Sequence, residues 1–471
     1  MQDTIIQEIA NLVGQEHLLT REEERWCYSY DATDLSCLPD LVVFPGSAQE
    51  VAAIVRLANR YRLPLVPRGA GTGRAGGSVP IKGGVVLVMT RLNRILEISV
   101  PDMVAVVEPG VVTAHLKRAV AEQGLYYPPD PSSADYCTIG GNVATGAGGA
   151  MAVQYGVTRD YVLGLEVVLP TGEIIGTGSR TLKGVVGYDL TRLFLGSEGT
   201  LGIITKIILR LTVPPARRLT VAAGFASMEA AVQAVGRILS SRLSPAAVEF
   251  LDRPTLDCVA ENLPFPLPER VAALLLVALD GQEGEVAARA RSLARLCREQ
   301  KARPVLLAQD PAEAQRLWEV RKLISPATFK LRPCKISEDV AVPLGAIPRL
   351  VAEIQKFAAA KGLPIICFGH AGDGNLHVNI MFDRNNARER QAAREAVEEL
   401  FHLVRRLKGT LSGEHGIGFL KAPYLGLELS PEAIALQRRL KQAFDPNNLM
   451  NPGKIFPEEP PPEPEGQGRQ T

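Results

Sequence analysis

Histidines and a carboxylate in two glycine-rich stretches are the residues of this chain whose types and spacing could do chemistry. The first stretch, residues 369–377, reads G-H-A-G-D-G-N-L-H and lies between two apolar runs. Strand-like runs separated by such a turn predict a β-hairpin. His370 and His377 lie nearly symmetrically about the turn, so the simplest register makes them cross-strand neighbours with Cβ atoms about 5 Å apart. Two imidazoles at that separation can bind one metal ion.

A second stretch, residues 412–418 (S-G-E-H-G-I-G), contributes Glu414 and His415. Two imidazoles and one carboxylate form a common ligand set for a catalytic divalent metal, and a neighbouring imidazole is suited to proton transfer near neutral pH. For any single histidine, a hydrogen-bonded structural side chain is the alternative. Taken together, the two stretches predict a metal or proton-transfer site.

The first half of the chain has three loops in which glycine is unusually dense, at residues 68–78, 128–149 and 196–204. Closely spaced glycines let a loop point several backbone N–H groups at one anion. Three such loops, separated by short strands, favour one long ligand that is bound mainly through the main chain, and a dinucleotide cofactor fits this description. A flexible surface loop is the alternative for the first of them.

The sequence G-x-G-x-x-G at Gly71, Gly73 and Gly76 formally matches the dinucleotide fingerprint of a Rossmann fold. That fingerprint requires a helix immediately after the loop, and the glycines and proline of residues 76–84 do not allow one. The acidic residue expected further along is also missing, because residues 91–94 occupy its place. We therefore predict phosphate binding by backbone amides and exclude NAD binding of the Rossmann type.

The composition is typical of a soluble globular protein that acts on small molecules. Among 471 residues, 52 are basic and 51 acidic, so the net charge of +1 provides no electrostatic surface for nucleic acid. The seven cysteines are scattered without a C-x-x-C pair, which favours a reducing compartment and argues against a disulfide framework or an iron–sulfur cluster. We find no signal-like N-terminus and no apolar run of about 18 residues, and we predict a cytoplasmic location.

Hydrophobic periodicity predicts the elements that must position these residues. A capping box at residues 47–50 begins an amphipathic helix, and strands follow at residues 64–68, 84–89 and 103–108, with a helix over residues 113–123. After residue 217, helices alternate with strands, which favours an antiparallel sheet covered by helices on one face and an α+β fold. The helices are predicted over residues 228–241, 283–299, 347–360, 387–407 and 431–444, and the strands over residues 219–225, 271–279 and 340–343.

The three glycine-rich loops, G-H-x-G-D-G-N-x-H and G-E-H-G-I-G together resemble the FAD-linked D-2-hydroxyacid dehydrogenases. This family, which includes D-lactate dehydrogenases, flavin subunits of glycolate oxidases and D-2-hydroxyglutarate dehydrogenases, belongs to the vanillyl-alcohol oxidase and p-cresol methylhydroxylase flavoprotein superfamily. The resemblance implies a two-part FAD-binding domain of the p-cresol methylhydroxylase type and a substrate or cap domain. The implied division is an N-terminal helical arm (1–37), the FAD-binding domain (38–216), the cap domain with the metal site (217–425), a segment that returns to the FAD-binding domain (426–456) and a disordered tail (457–471).

The resemblance implies two sets of ligand-binding residues. A divalent metal, usually zinc, would be bound by His370, His377 and Glu414, although the donor set also suits iron or manganese. FAD would be bound non-covalently, because the first loop lacks the histidine to which some family members attach the flavin. Two positions depart from the family pattern, Ala70 where glycine is commoner and Gly146 where asparagine is usual, and neither is needed for binding by the backbone. The implied FAD-binding residues are Pro67, Arg68, Gly69, Ala70, Gly71, Thr72, Gly73, Gly76, Ser78, Pro131, Ser132, Thr138, Gly140, Gly141, Asn142, Thr145, Glu198, Gly199, Gly202 and Ile204.

The implied reaction is the oxidation of a D-2-hydroxyacid, with D-lactate or glycolate as the expected substrate, to the 2-oxoacid. The hydride passes to flavin N5, the metal lowers the pKa of the substrate hydroxyl, and His415 acts as general base. Arg321 would bind the substrate carboxylate bidentately, with an unrelated surface arginine as the alternative. Lys335 is the nearest candidate for the lysine that partners this arginine in the family.

The flavin would pass its electrons to an acceptor other than NAD. The candidates for this acceptor are an electron-transferring flavoprotein, an iron–sulfur subunit, a cytochrome and a quinone. A homodimer, and attachment to the inner face of a membrane through a partner, are open as well. The alternative function is a flavin subunit for electron transfer or scaffolding whose own hydroxyacid site is silent. A different reaction on the same flavin fold, such as the reductase of cell-wall synthesis, is disfavoured by the two histidine motifs.

Overall fold

The first sheet is small and mostly parallel, in a computed structural model that describes residues 1–308 and 310–457. Its elements are α1 (Asp3–Val13), β1 (Leu18–Leu19), α2 (Glu22–Trp26), β2 (Leu41–Val43), α3 (Ala48–Tyr61), β3 (Leu65–Arg68) and β4 (Val85–Val88). The strands lie in the order β1-β2-β4-β3, in which β4 is parallel to both its neighbours and β1 is antiparallel to β2. The first glycine-rich loop follows β3 directly in the chain.

Helix α3 shows why the sequence folds as predicted here. The Oγ of Ser47 accepts a hydrogen bond from the N–H of Glu50 at 3.1 Å, and the Glu50 carboxylate accepts one from the N–H of Gly46 at 2.8 Å. The Ser47 cap satisfies a donor at the helix start that has no partner within the helix, and Glu50 reaches the residue before the N-cap rather than the N-cap itself. Val51 and Val55 are fully buried in the core shared with the strands. The predicted helix and the strand after it are confirmed.

The second sheet is antiparallel throughout and has five strands in the order β5-β6-β9-β7-β8, numbered along the chain. Its core is closed by α4 and by α5, a short helix within the second glycine-rich loop. The elements are β5 (Ile95–Ser99), β6 (Val104–Val107), α4 (Thr113–Glu122), α5 (Ile139–Thr145), α6 (Ala152–Tyr155), β7 (Val162–Val168), β8 (Ile174–Gly178), α7 (Leu190–Phe194) and β9 (Ile203–Arg210).

The third sheet is also antiparallel and has seven strands in the order β13-β10-β12-β11-β15-β16-β14. This confirms the predicted antiparallel sheet and the α+β class. The elements are β10 (Arg217–Phe225), α8 (Met228–Leu239), β11 (Ala247–Asp252), α9 (Arg253–Val259), β12 (Ala273–Gly281), α10 (Glu283–Glu299), β13 (Val305–Leu307), α11 (Pro311–Ala327), β14 (Cys334–Ala341), α12 (Ile347–Lys361), β15 (Ile365–His370), β16 (Asn375–Phe382), α13 (Ala387–Arg406) and α14 (Pro431–Phe444).

Helices cover both faces of the third sheet, so the prediction of a single covered face is wrong. Helices α8, α10, α12 and α13 pack on one face, and α9 and α11 pack on part of the other, against Leu251, Leu274 and Leu276. Strand β12 is an almost continuous apolar run, which is typical of a strand buried on both faces. His377 lies opposite Phe368, and Asp339 opposite His377, on this second face, beside the part that α9 and α11 cover.

Strand β14 begins six residues before the predicted strand at residues 340–343. Cys334, Val340 and other alternate positions pack into the core, whereas Lys335, Ser337 and Asp339 alternate onto the opposite face. These polar residues hide the strand from a search for apolar runs, although alternation with period two is the signal of a strand with two different faces. The polar face of β14 belongs to the site.

The chain after α14 returns to the first sheet. The N–H of Leu65 donates to the carbonyl of Leu449 at 2.8 Å, and the Asn451 side chain donates to the carbonyls of Gly77 and Glu198, each at 2.8 Å. Of the predicted tail, residues 458–471 lie outside the described residues. No described helix is long and apolar enough to cross a membrane.

Candidate active site

The predicted hairpin is confirmed, but its register differs. Strands β15 and β16 are antiparallel, and the N–H of Gly374 donates to the carbonyl of His370 at 3.0 Å, which closes a turn over residues 371–374. His377 is therefore opposite Phe368, and the predicted pairing of His370 with His377 is wrong by two positions. Side chains two residues apart share a face of a strand, so the two imidazoles still meet, with ring centroids 5.3 Å apart. The φ of +86° at Gly374 permits the tight turn.

Asp339 of β14 holds the loop of Glu414 and His415 against the hairpin. Its Oδ2 accepts hydrogen bonds from the N–H groups of three successive residues, Gly413, Glu414 and His415, at 2.7, 2.6 and 3.2 Å. Its Oδ1 accepts from the buried ammonium of Lys421 at 2.7 Å. Burial acts to raise the pKa of Asp339, but the nearby His415 and the ammonium of Lys421 keep that pKa below its ordinary value. The carboxylate is thus an ionised anchor for the loop.

His370, His377 and Glu414 come together in one cluster. The Oε1 of Glu414 lies 3.5 Å from Nε2 of His377 and 3.8 Å from Nε2 of His370, and one ligand atom from each residue lies within 4.8 Å of the others. Within the described parts of the chain, the buried Nε2 of His370 has no hydrogen-bond partner. Atoms that bind one zinc ion at about 2.0–2.2 Å are roughly 3.3 Å apart. The cluster therefore fits a divalent metal by its donor types and nearly by its spacing.

Glu249 of β11 supports His370 from the side away from Glu414. It is fully buried, contacts Nδ1 of His370 and accepts a hydrogen bond from Nε of Arg321. Burial acts to raise the pKa of Glu249, but its contacts with His370 and Arg321 outweigh it and lower the pKa to about 2. A carboxylate on one ring nitrogen fixes the orientation of an imidazole and leaves the other nitrogen for a metal.

His415 stacks on His377, with ring centroids 5.5 Å apart and ring planes 20° apart. The Nδ1 of His415 lies 3.3 Å from Oδ1 of Asp339, and its Nε2 lies 3.9 Å from Oε1 of Glu414. Burial lowers the pKa of His415, although Asp339 acts in the opposite direction, and burial lowers the pKa of His377 further. Neutral imidazoles are the forms that bind a metal and accept a proton.

Arg321 and Lys335 lie on the same side of the sheet as the cluster. Arg321 is not a surface residue: its side chain is 13% exposed, is paired with Glu249 and lies 4.8 Å from the centre of the Phe368 ring. The ammonium of Lys335 donates to the carbonyl and the hydroxyl of Ser325 at 3.1 and 2.8 Å. Burial, with a contribution from Arg74, lowers the pKa of Lys335 to about 8.

All the predicted FAD-binding residues except Gly76 line one cavity of about 430 Å³. Glu414 and His415 line the same cavity, so the loop that carries these two residues faces the space enclosed by the three glycine-rich loops. A Cβ added to Gly76 would lie 2.8 Å from Leu35, which indicates a packing role for this glycine. The individual FAD contacts of these residues stay predictions.

Close approach of the loops explains their glycines. A Cβ at Gly69 would lie 2.3 Å from Oγ1 of Thr138, and one at Gly199, whose φ is +72°, would lie 2.6 Å from the Pro67 ring. The described chain has no helix between the first loop and β4, which agrees with the exclusion of a Rossmann fold. A cavity lined by main chain from three loops fits an elongated cofactor with a pyrophosphate.

Sequence reasoning missed four residues of the site. Glu249 interrupts the apolar strand A-V-E-F-L-D, and an acidic residue in such a run is a signal for a buried partner. Asp339 and Lys421 have no local signal of their pairing, because 82 positions separate them in the chain. Arg74, within the first loop, lines the cavity with Glu414 and His415.

Comparisons with known proteins identify the family of this chain. Residues 39–178 match the model of the FAD binding domain family, and residues 214–455 match that of the FAD linked oxidases, C-terminal domain. The glycolate oxidase subunit GlcD of Bacillus subtilis is 43% identical over 451 residues, which are 96% of each chain. The mitochondrial D-lactate dehydrogenase (cytochrome) of Arabidopsis thaliana is 36% identical over 422 residues, which are 89% of this chain and 74% of that one.

Solved structures agree on the fold alone. Substrate-bound p-cresol methylhydroxylase superposes with a TM-score of 0.81 at 18% identity over 97% of each chain. Alkyldihydroxyacetonephosphate synthase superposes with a TM-score of 0.76 at 20% identity over 96% of this chain and 86% of that one. The chain belongs to the FAD-linked oxidases, flavoproteins with a fold of the p-cresol methylhydroxylase type. The recognition of this family from the three loops and two histidine motifs is confirmed.

Proposed function

We propose that this protein oxidises a D-2-hydroxyacid, with D-lactate or glycolate as the expected substrate, to the 2-oxoacid. The observation that carries the proposal is the cluster of His370, His377 and Glu414 with His415, of which Glu414 and His415 line the cavity of the FAD-binding loops. A proton must leave the hydroxyl and a hydride must leave the adjacent carbon, so a base and a flavin have to meet at one substrate. The relatives named glycolate oxidase subunit and D-lactate dehydrogenase support this choice.

Two groups that the chain would bind supply part of the chemistry. FAD, bound non-covalently, supplies the hydride acceptor at N5. A divalent metal, zinc before iron or manganese, would be held by His370, His377 and Glu414 and would favour ionisation of the substrate hydroxyl. Glu249 holds the His370 ring in the orientation that this requires.

His415 accepts the hydroxyl proton at Nε2, the nitrogen nearer to Glu414. Its other nitrogen, Nδ1, is close to the ionised Asp339, which stabilises the imidazolium that forms. The backbone contacts of Asp339 keep the ring in place, because they fix the N–H groups of residues 413–415. The charges of Arg321 and Lys335 on the same side of the sheet favour a carboxylate substrate.

The electron acceptor in this proposal is not NAD but a second protein, such as an electron-transferring flavoprotein or an iron–sulfur subunit, or a quinone. The name of the Bacillus subtilis relative, a subunit, supports a multi-subunit enzyme. All seven cysteines are free, which supports a cytoplasmic location, with attachment to a membrane through a partner as the alternative. Assembly of two copies of this chain into a homodimer is an alternative to the multi-subunit enzyme. Nucleic acid is not an expected partner.

Anaerobic reduction of the flavin tests the proposal. Purified protein is mixed with a panel of D- and L-2-hydroxyacids that includes lactate, glycolate and 2-hydroxyglutarate, and the same sample is analysed for metal. We expect at least one D-acid or glycolate to bleach the flavin absorbance and the metal content to approach one per chain. A flavin that stays oxidised with every acid would contradict the proposal and favour the silent electron-transfer subunit.

A further inference from the structure

A second cavity, of about 430 Å³, adjoins the cavity of the FAD-binding loops. Thr145, Glu198 and Glu414 line both cavities, so the two spaces meet at these residues. The volume lies within the range of about 300–1,000 Å³ that small-molecule sites occupy. FAD and the hydroxyacid account for the first cavity, whereas the second one is left for another ligand.

The second cavity has a largely apolar wall. Seven leucines, two isoleucines and one phenylalanine line it, from α7, the third glycine-rich loop, the loop of Glu414, α14 and the segments on either side of α14. Leu440 of α14 lines the cavity and is also 37% exposed, so the cavity opens to solvent beside this helix. Leu436, one turn earlier on the same helix face, is 53% exposed and extends the apolar surface outside the mouth. Such a wall and mouth fit a hydrophobic ligand.

The charges around the second cavity disfavour an anion. The carboxylates of Glu198, Glu414 and Glu428 line it, and among the described residues Lys441 is the one basic residue of its wall. The Lys441 ammonium is already paired with the Asp445 carboxylate. A buried anion without a free cation is costly. The hydroxyacid is therefore disfavoured in this cavity, and a neutral ligand is favoured.

The shared wall relates the second cavity to the flavin. Thr145 and Glu198 are among the predicted FAD-binding residues, and both line the second cavity as well. A ligand there would be separated from the flavin by a layer of side chains. Hydride transfer requires reacting atoms about 3–3.5 Å apart, whereas single electrons can cross such a layer. The position suits a molecule that takes electrons from the flavin and not one that gives it a hydride.

We propose that the second cavity binds the electron acceptor and that this acceptor is a quinone with an apolar chain. The neutral ring occupies the apolar cavity, and the exposed leucines of α14 contact the chain at the mouth. The reduced flavin loses two electrons and one proton, and the quinone takes two electrons and two protons to become the hydroquinone, with the second proton from solvent. This inference rests on the proposed function for the reaction that reduces the flavin.

Equilibrium binding tests the inference in the full-length flavoprotein. Decylubiquinone, a quinone with a short alkyl chain, is titrated into the oxidised protein by calorimetry, and reoxidation of the reduced flavin by the same quinone is followed by stopped-flow absorbance. Leu440→Asp places a carboxylate at the mouth, where the apolar chain would bury it. We expect the dissociation constant to rise about tenfold or more and reoxidation to slow, with the FAD content and the KM of the hydroxyacid unchanged.

Matched variants and ligands separate a quinone site from general effects of charge. Leu440→Met should bind decylubiquinone as the wild type does. Leu96→Asp, at a leucine of β5 that is 41% exposed and does not line the cavity, should also behave as the wild type. A naphthoquinone sulfonate should bind more weakly than menadione, its neutral counterpart, because carboxylates line the cavity.

Three results would overturn the inference. The first is unchanged quinone affinity in Leu440→Asp. The second is equally tight binding of decanol, which would show a cavity for alkyl chains with no preference for a ring. The third is a raised KM of the hydroxyacid in Leu440→Asp, which would make the cavity the substrate entrance. If no hydroxyacid reduces the wild-type flavin, the proposed function fails instead, and the calorimetric titration still decides on the cavity.

Discussion

The FAD-binding half and the histidine half of this site are built by different means. The three glycine-rich loops approach one another through main chain, as at Gly199, where any Cβ would collide with Pro67. The histidine half consists of buried charged side chains such as Glu249 and Asp339, each with partners from distant strands. Main-chain binding depends on backbone shape and tolerates different side chains, whereas a side-chain site depends on the identity of each residue. Variants in the two halves should therefore fail in different ways.

The largest effect is expected from Gly199→Ala in the third loop. Alanine in the left-handed conformation costs about 1–2 kcal/mol, and its Cβ would push the third loop away from the first. We expect loss of bound FAD, and with it of activity, measured as the ratio of flavin to protein absorbance. Gly176→Ala, where an added Cβ has no atom within 4 Å, is the control and should keep its flavin. Full FAD content in Gly199→Ala would show that the loops are less constrained than their packing indicates.

In the histidine half, His415→Ala should leave FAD and metal in place and slow the reduction of the flavin by substrate about 10²–10⁴-fold, the usual contribution of a general base. Stopped-flow absorbance measures this rate. His402→Ala, an exposed histidine on α13, is the matched control. If electron transfer from an external donor to the partner protein persists while reduction by hydroxyacid is lost, the catalytic assignment holds. Equal rates in His415→Ala and wild type would contradict the assignment of His415 as the general base.

Glu249→Gln should weaken metal binding rather than flavin binding. Replacing a carboxylate that orients a metal-binding histidine typically lowers metal affinity about 10–100-fold. Titration of the metal-depleted protein with zinc measures this, and the flavin absorbance should stay unchanged. Glu108→Gln provides a control, because Glu108 is also buried and paired with an arginine but belongs to the second sheet. A loss of FAD in Glu249→Gln would contradict the view that the FAD-binding half and the histidine half fail independently.

The smallest effect concerns pH. Lys335 faces Arg74, the Ser325 hydroxyl and the Phe329 ring, and burial lowers its pKa to about 8. Its ammonium is charged below that pH and becomes neutral above it, so kcat/KM should fall at most tenfold per pH unit above pH 8. In Lys335→Arg this alkaline fall should disappear. A profile that is the same in both proteins would exclude Lys335 from substrate binding.

Much of the site could be predicted because its ligands lie in local motifs. The hairpin, the glycine-rich loops and the residues His370, His377 and Glu414 follow from short-range patterns, and the structure brings those three residues together. The hairpin register could not be predicted, because the choice between a four-residue and a six-residue turn depends on packing around Gly374. The helices on the second face of the third sheet were not predicted, because the hydrophobic pattern of α11 does not show that this helix packs on the sheet.

The sequence by itself determined the cofactor class, the family and the candidate ligands, since spacing along the chain is enough to place a glycine loop or a histidine pair. Only the tertiary structure decided which charges compensate one another. Glu249 and His370 are 121 positions apart, and Arg74 and Ser325 are 251 apart, so no local pattern relates them. The energy of a buried charge depends on what the fold places beside it, and that is why the pairing of Arg321 with Glu249 was not visible in the sequence.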